Sequence, residues 1–428
     1  MRVDYAFYVG VDWGSQTQQV CVLDPRGAIV REDVVPHREA GLRQLLTWLR
    51  ELCHGDLSRV AIGIEMPRGA LVEALVEAGA HVYHLNPKQL DRFRDRHSVA
   101  GAKDDRRDAF VLGDSLRTDR VCFRRVRIDD PSIIELREAS RLESQLLQQH
   151  RRLANRLYGQ LHRVFPQLLE LSPGADEPWL WDLLTQTAWP EVVRQWTKAQ
   201  AIKLLRAHRI RRFDAERLLD VLRQPALPVA GGTIAAVTKH VGMLVEQLQL
   251  VQRQRRECIA WIERLLAQLS LPEDDEGQPR QHRDAEILLS MPGAGKLVAA
   301  TVLGEASQAV ADRDYQLLRT LSGVAPVTRS SGKSRRVTMR RSCNPRLRYA
   351  LYHWLFNSLQ HDAPTRARYD ELRGRGQTHP HALRTLADRH LRILVAMLRD
   401  GTLWSPPGAA PPLAASSLTA PLADKEAA

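Results

Sequence analysis

The chain has 428 residues, of which 44% are hydrophobic and 26% charged, a balance that excludes a fibrous or wholly disordered protein and leaves room for two or three cored domains. Lys plus Arg number 62 against 50 Asp plus Glu, a formal charge of +12 that favours a polyanionic partner. The five scattered cysteines form no C-x-x-C pair, no apolar run is long enough for a membrane span, and the first residues carry an acid where a signal peptide is apolar; this predicts a reducing, cytoplasmic setting with no membrane association.

Residues 6–125 alternate strand and helix signals. Phe7–Asp12 and Gln18–Leu23 read as strands, Asp24-Pro-Arg-Gly27 as a hairpin turn, and Ala28–Pro36 as a third strand. Leu42, Leu45, Leu46 and Leu49 recur at helical spacing within Gly41–Cys53. A strand at Val60–Glu65, a helix at Ala70–Ala78, a strand at His81–Leu85, a short helix at Lys88–Phe93 and a helix at Lys103–Leu116 follow. A three-strand meander followed by βαβ units is the order of an α/β RNase H-like fold, in which the acid of the first strand lies centrally in the sheet.

Four acids stand out in this region. Asp12 lies in Tyr8-Val-Gly-Val-Asp12-Trp-Gly14, Glu65 ends its strand, and Asp105 and Asp108 are three apart in Lys103-Asp-Asp-Arg-Arg-Asp-Ala109, on one helix face. Acids at that spacing are ordinary on any helix; the weight comes from their combination with two strand-end carboxylates. Such a group repels itself at neutral pH unless a cation offsets it. Hard oxygen donors suit Mg²⁺ or Mn²⁺, and two such ions can clamp a phosphodiester. Asp104 and Asp108 also share a face, so the spacing leaves Asp104 and Asp105 as alternatives.

From Ser132 a long helix carries Leu136, Leu142, Leu146, Leu147, Leu153 and Leu157, with a polar opposite face, and Phe165-Pro166 ends it. A second runs over 236–270 with Val241, Leu244, Leu248, Val251, Ile259, Ile262 and Leu266. Together they predict an antiparallel coiled-coil arm suited to dimerisation. The proline-punctuated insert, 171–235, holds Trp179, Trp181, Trp189 and Trp196, read as core or interface anchors.

Residues 284–404 read as a compact C-terminal domain. Met291-Pro-Gly293-Ala-Gly295-Lys296 fails the Walker pattern, because Ser290 and Leu297 stand where Gly and Ser or Thr are required. The better reading is a helix-hairpin-helix, with Gly293, Gly295 and Lys296 at a phosphate, the alternative being a plain helical connection. Farther on, Arg329, Lys333, Arg335, Arg336, Arg340, Arg341, Arg346 and Arg348 occur with no acid between them, the pattern of a phosphate-binding surface. Ser330 and Ser331 sit beside Gly332 in this run; a serine there either positions a phosphate or acts as a nucleophile, and the residues alone favour positioning. The histidines, His379 and His381 included, form no ligand pattern, the last helix (His381–Leu398) reads as core, and the Pro-, Ala- and Ser-rich 405–428 as a disordered tail.

Taken in order, Gly10-Val-Asp12, Ile64-Glu65, Lys103-Asp-Asp105-Arg-Arg-Asp108-Ala109, Met291-Pro-Gly-Ala-Gly295, Leu321-Ser-Gly-Val-Ala-Pro326, Ser331-Gly332 and Pro345-Arg-Leu-Arg-Tyr-Ala-Leu351 resemble the DEDD-type transposases of bacterial insertion sequences, the IS110 class of bridge-RNA-guided serine recombinases. The resemblance implies a RuvC-like domain over 1–128, a helical arm over 129–283 and a transposase domain over 284–404. It implies that Asp12, Glu65, Asp105 and Asp108 hold the metal, Asp105 being preferred over Asp104. It makes Ser331 the catalytic serine, against the reading from residues alone. The implied partners are donor and target DNA, a noncoding guide RNA that pairs with both, and further copies of the chain in a dimer or tetramer. Asp104, Met66-Pro-Arg-Gly69 and Trp13-Gly-Ser15 depart from the common family pattern. The competing readings are a RuvC-like structure-selective endonuclease, in which Ser331 only positions DNA, and a non-catalytic nucleic-acid-binding relic.

Overall fold

A computed structural model describes residues 4–97, 104–186, 195–270, 283–332 and 334–406, and the chain divides into two compact units, Met1–Asp130 and Pro131–Ala428. Trp189, Lys333 and nearly all of the tail expected to be disordered lie outside the described residues.

The first unit is built on strands β1 (Phe7–Trp13), β2 (Thr17–Leu23), β3 (Ile29–Pro36), β4 (Val60–Ile64), β5 (His81–His84) and the two-residue β6 (Arg124–Arg125), in the order β3-β2-β1-β4-β5-β6. β1 pairs antiparallel with β2 and parallel with β4, so the sheet is mixed, as the meander and βαβ signals predict. Helices α1 (Glu39–Leu52), α2 (Ala70–Glu77), α3 (Pro87–Asp95) and α4 (Asp105–Asp119) cover it. Alternation along the strands sorts the two faces. Val9, Val11, Ile62 and Ile64 are buried with Leu45, Trp48 and Leu71 of α1 and α2. On the other face, Ala61 and Tyr83 are buried with Leu90 of α3 and Val111 and Leu112 of α4. Strand order and the paired helical layers are compatible with an RNase H-like fold.

Among its described residues the second unit is helical apart from one hairpin. Helix α5 (Pro131–Val164) is followed by α6 (Leu168–Leu171), α7 (Pro178–Gln186), α8 (Lys198–Ala207), α9 (Ala215–Arg223) and the long α10 (Gly231–Gln268). Then come α11 (Asp284–Ser290), α12 (Lys296–Glu305), α13 (Ser307–Ala311), α14 (Tyr315–Leu321), strands β7 (Val327–Ser331) and β8 (Ser334–Thr338), α15 (Pro345–His361), α16 (Ala363–Gly374) and α17 (His379–Asp400). α5 and α10 run antiparallel: Arg156 meets His240, Arg255 donates to Glu143, and Trp261 donates to Glu135. Their buried residues include Leu136, Leu146, Leu153 and Leu157 facing Val241, Leu244, Leu248 and Ile262. Trp179, Trp181 and Trp196 are buried, and the Trp181 indole donates to the Ala175 carbonyl at 3.0 Å, so these three anchor the insert's own core.

The long helices do not end in solvent. α12 packs on α5, and one buried carboxylate ties both to the start of α15. Glu305 accepts from Arg141 at 2.9 and 3.2 Å, from Arg346 at 2.9 Å and from Asn344 at 2.8 Å. Ser140 joins this network through Arg346 at 3.1 Å and Thr301 at 3.1 Å. Burial alone would raise the Glu305 pKa, but the Arg141 guanidinium and the Asn344 amide outweigh it and hold the carboxyl below its ordinary value of 4.5. A depressed carboxylate contributes stability in full above its unfolded-state pKa and loses it as pH falls through the folded one. Glu305→Ala is therefore expected to cost about 2–3 kcal/mol, because two half-buried guanidiniums lose their buried carboxylate, Arg141 keeping only Glu138 and Arg346 only Ser140. The wild-type chain should outlast this variant near neutral pH and lose that advantage below about pH 4.5, as checked by thermal melts across pH.

Candidate active site

The register that pairs Val11 with Ile64 makes Asp12 and Glu65 the next residues at the adjacent C-terminal ends of the two central parallel strands. By strand alternation both lie on the α4 face, with Gly10 and Gly63. Those glycines set how close α4 comes. A Cβ on Gly10 would overlap the Ala109 carbonyl, and one on Gly63 would lie 3.0 Å from the Leu112 carbonyl. A Cβ on Gly113 would sit 3.1 Å from the Gly10 nitrogen and 3.5 Å from the Tyr8 carbonyl, so α4 runs opposite to β1 and its first turn lies toward the Asp12 end.

That first turn carries the remaining acids. Asp104 is the N-cap, and its side chain accepts from the Arg106 amide at 3.4 Å. Asp105 is exposed, one helical turn before Ala109. Asp108 is buried, and its Oδ1 accepts from Arg94 Nε of α3 at 2.7 Å. Arg106 donates to Glu32 at 2.6 Å, fastening the same turn to β3. Asp12 and Glu65 thus end adjacent strands at the sheet end toward which the first turn of α4, with Asp105, is directed, while the Asp108 carboxylate is held by an arginine. The donors are hard oxygens on half-buried or exposed carboxylates, a set that fits Mg²⁺ or Mn²⁺, although among the described residues no three His, Cys, Asp or Glu groups are close enough to share one ion.

The pattern of histidines in the chain gives no hint of His84, yet the structure brings it to this edge. His84 pairs with Ile64 at the end of β5, beside Glu65. Burial lowers its pKa below the ordinary 6.5, while a hydrogen bond to the Glu65 main chain pulls the other way, so the imidazole is neutral at pH 7. Its place at the end of a buried strand next to Glu65 was the available sequence signal.

In the second unit Ser331 ends β7, exposed beside the Gly332 turn, whose φ of +54° suits a glycine. In the hairpin register Arg329 faces Arg336, Ser330 faces Arg335, and Ser331 faces Ser334. All of these side chains are exposed. Like charges directly opposite each other destabilise an antiparallel pair. No acid occurs anywhere from Tyr315 to His361 to relieve them. The hairpin therefore presents exposed basic charge with no acid supplied by its own stretch of chain.

The other basic residues of this run have different duties. Arg346 is taken up by Glu305 and Ser140. Arg348 donates to the Arg340 carbonyl and lies where a side chain on Gly323 would have to go. Arg340 also donates to the Ala325 carbonyl at 3.3 Å, whereas Arg341 is exposed. In the α11–α12 connection, Gly293 has φ +77°, and a Cβ there would meet the Ser358 nitrogen at 2.5 Å. The Pro292 carbonyl accepts from Trp354 and Ser358 of α15, so close packing accounts for Gly293 without a ligand. Gly295 caps α12, and Lys296 is half-exposed in an ion pair with Glu263 at 2.8 Å.

Two outcomes follow. Gly10→Ala should lift α4 off β1 and cost about 3 kcal/mol, read from denaturant unfolding. Arg336→Ala should leave the melting temperature unchanged or raise it, while weakening binding to any duplex and flattening the dependence of affinity on salt by about one counterion, read by fluorescence anisotropy across salt concentrations.

A family model described as a DEDD, IS110-type transposase matches residues 9–166, and one described as a transposase of the IS116/IS110/IS902 family matches residues 285–370. Among curated relatives, the "Mini-circle putative transposase for IS117" of Streptomyces coelicolor is 31% identical over 397 residues, covering 90% of this chain and 92% of that protein. The "Putative transposase y4uE" of Sinorhizobium fredii is 45% identical over 211 residues, covering 49% of this chain and 58% of that protein. The "Insertion element IS900 uncharacterized 42 kDa protein" of Mycobacterium paratuberculosis is 28% identical, covering 93% of this chain and 97% of that protein.

Proposed function

Because the chain belongs to the IS110 family of transposases, enzymes that act on DNA, we propose that it is an RNA-guided site-specific recombinase that cuts and rejoins DNA through Ser331. The observation that carries this reading is the exposed serine at the tip of an acid-free arginine hairpin. The Ser331 hydroxyl loses its proton and its oxygen attacks a DNA phosphorus. The bond from phosphorus to the 3′-oxygen breaks, and that oxygen leaves as a free 3′-hydroxyl. The 5′-phosphate stays on Ser331 as a phosphodiester. Attack by the 3′-hydroxyl of another strand reverses the step and releases the serine, so the reaction needs no external energy source.

Arg329, Arg335 and Arg336 stabilise the charge that builds on the phosphoryl oxygens, and Lys333 and Arg341 extend the same grip. Asp12, Glu65 and Asp105 are the groups that would hold Mg²⁺ or Mn²⁺, which when bound offsets phosphate charge and orients the scissile group. Asp108, held by Arg94, fixes the first turn of α4 and would join the ligand set on releasing that arginine. The antiparallel α5–α10 pair serves as a coiled-coil arm for assembly into a dimer or tetramer, and the α11–α12 turn, with Gly295 and Lys296, contacts phosphate as a helix-hairpin-helix. The guide is a noncoding RNA from the element, which supplies sequence specificity by pairing with donor and target DNA. RNase H-like chemistry by the acids alone is the competing reading, favoured by their gathering at one end of the sheet.

The test uses the full-length protein with Mg²⁺, DNA spanning the joined element ends and RNA transcribed from the element's noncoding flank. A denaturing gel should show a covalent protein–DNA adduct for the wild type, no adduct for Ser331→Ala, and a loss of at least about a hundredfold for Asp12→Asn. Cleaved DNA without an adduct in either wild type or Ser331→Ala would establish hydrolysis instead. An adduct formed equally well without RNA would remove the guide.

A further inference from the structure

Beside Met339, the residue that follows the second hairpin strand, lies an apolar cavity of about 170 Å³. Val324, Leu355 and Leu383 form its floor, and Tyr352, Met339 and Arg384 stand at its edge. A cavity of roughly 150 Å³ is enough to hold one benzene ring. Tyr352 is 45% exposed and continues an aromatic face on α15: Tyr349 and Phe356, at 49% and 43%, are also open to solvent. The Tyr352 and Phe356 rings are nearly parallel, inclined by 15° with centroids 6.3 Å apart. Arg384 is steadied at the rim by a contact with the Met339 sulfur at 3.5 Å.

A large exposed aromatic face is costly in water and marks a binding surface. Its neighbourhood narrows the occupant. The 47 residues from Tyr315 to His361, which include the hairpin and all of α15, contain no acid, and a guanidinium stands at the cavity rim. An apolar cavity with arginines among its lining and near-parallel aromatics beside it suits a nucleobase on a phosphate backbone better than an aliphatic protein side chain.

We infer that this pocket takes a single unstacked nucleobase of the strand bound at Ser331, with Tyr352 as the stacking face and Arg384 toward the adjoining phosphate. The inference rests on the recombinase reading and adds to it a base-holding site. Met339 follows Ser334 by five residues of nearly extended chain, about 16 Å, so the pocket holds a base roughly five stacked nucleotides from the reacting phosphate. Its apolar walls offer few groups to read a base edge, so it selects an unstacked base over a paired one, with little preference among bases.

The experiment measures binding of the full-length chain, by anisotropy, to oligothymidylate, to an abasic oligomer with the same number of phosphates, and to a duplex of equal length. Wild type should prefer oligothymidylate to the abasic strand. Tyr352→Ala should bind oligothymidylate about tenfold more weakly, with an unchanged salt slope and unchanged affinity for the abasic strand. Tyr352→Phe should retain wild-type affinity. The pocket is overturned if Tyr352→Ala binds oligothymidylate like wild type, if the loss is equal on the abasic strand, or if the variant instead alters the sedimentation mass, which would make this face a protein interface. Failure of the wild type to bind any of the three nucleic acids would overturn the recombinase reading itself.

Discussion

Helix α4 can lie on strand β1 only because residue 10 has no side chain. The Ala109 carbonyl occupies the space a Cβ would need, and Gly63 and Gly113 make the same allowance on either side. That contact directs the first turn of α4 toward the C-terminal ends of β1 and β4, and with it Asp105 and Asp108 toward Asp12 and Glu65. Without it the helix would stand off the sheet, and the acids would be four unrelated surface charges. Arg94 and Arg106 then hold the turn, one on Asp108 and one on Glu32.

Charge of one sign is concentrated in each unit. Carboxylates gather at the end of the first unit's sheet, and guanidiniums face each other across the hairpin of the second. Like charges set close together cost stability unless a counter-charge offsets them, and the proposed chemistry would supply one in each unit, a divalent cation at the acids and a phosphate at the hairpin. An isolated structural domain has no reason to retain either. An enzyme acting on a phosphodiester has reason to retain both, which is the physical content of membership in this family.

Where a charge in the second unit is not meant for an external partner, it is neutralised internally. Glu305 gathers Arg141 and Arg346 and takes the Asn344 amide as well, and so joins α5, α12 and the start of α15. The hairpin is rooted in this network, since Asn344 caps the helix that follows it. From the sequence, Arg346 and Arg348 looked like the rest of the basic run, because composition does not reveal that a carboxylate from Glu305 or a carbonyl from Arg340 awaits them. Gly293 is similar: its motif suggested a phosphate turn, and packing against Trp354 and Ser358 accounts for it.

The sequence by itself determined the alternation of strands and helices in the first unit, the two long amphipathic helices, the burial of Trp179, Trp181 and Trp196, and the acid-free basic run around Ser331, because local periodicity and charge carry those signals directly. The ordered motifs also identified the family. Only the tertiary structure decided that Asp104 caps a helix while Asp105 is exposed in its first turn, that Asp108 is bound by Arg94, and that His84 sits beside Glu65. Which arginines of the basic run are taken up inside the protein was likewise settled by partners outside the run or several residues along it, Glu305 for Arg346 and the Arg340 carbonyl for Arg348. Spacing along a chain reports which face of an element a residue occupies, but only folding brings in the group from another element that neutralises or spares its charge.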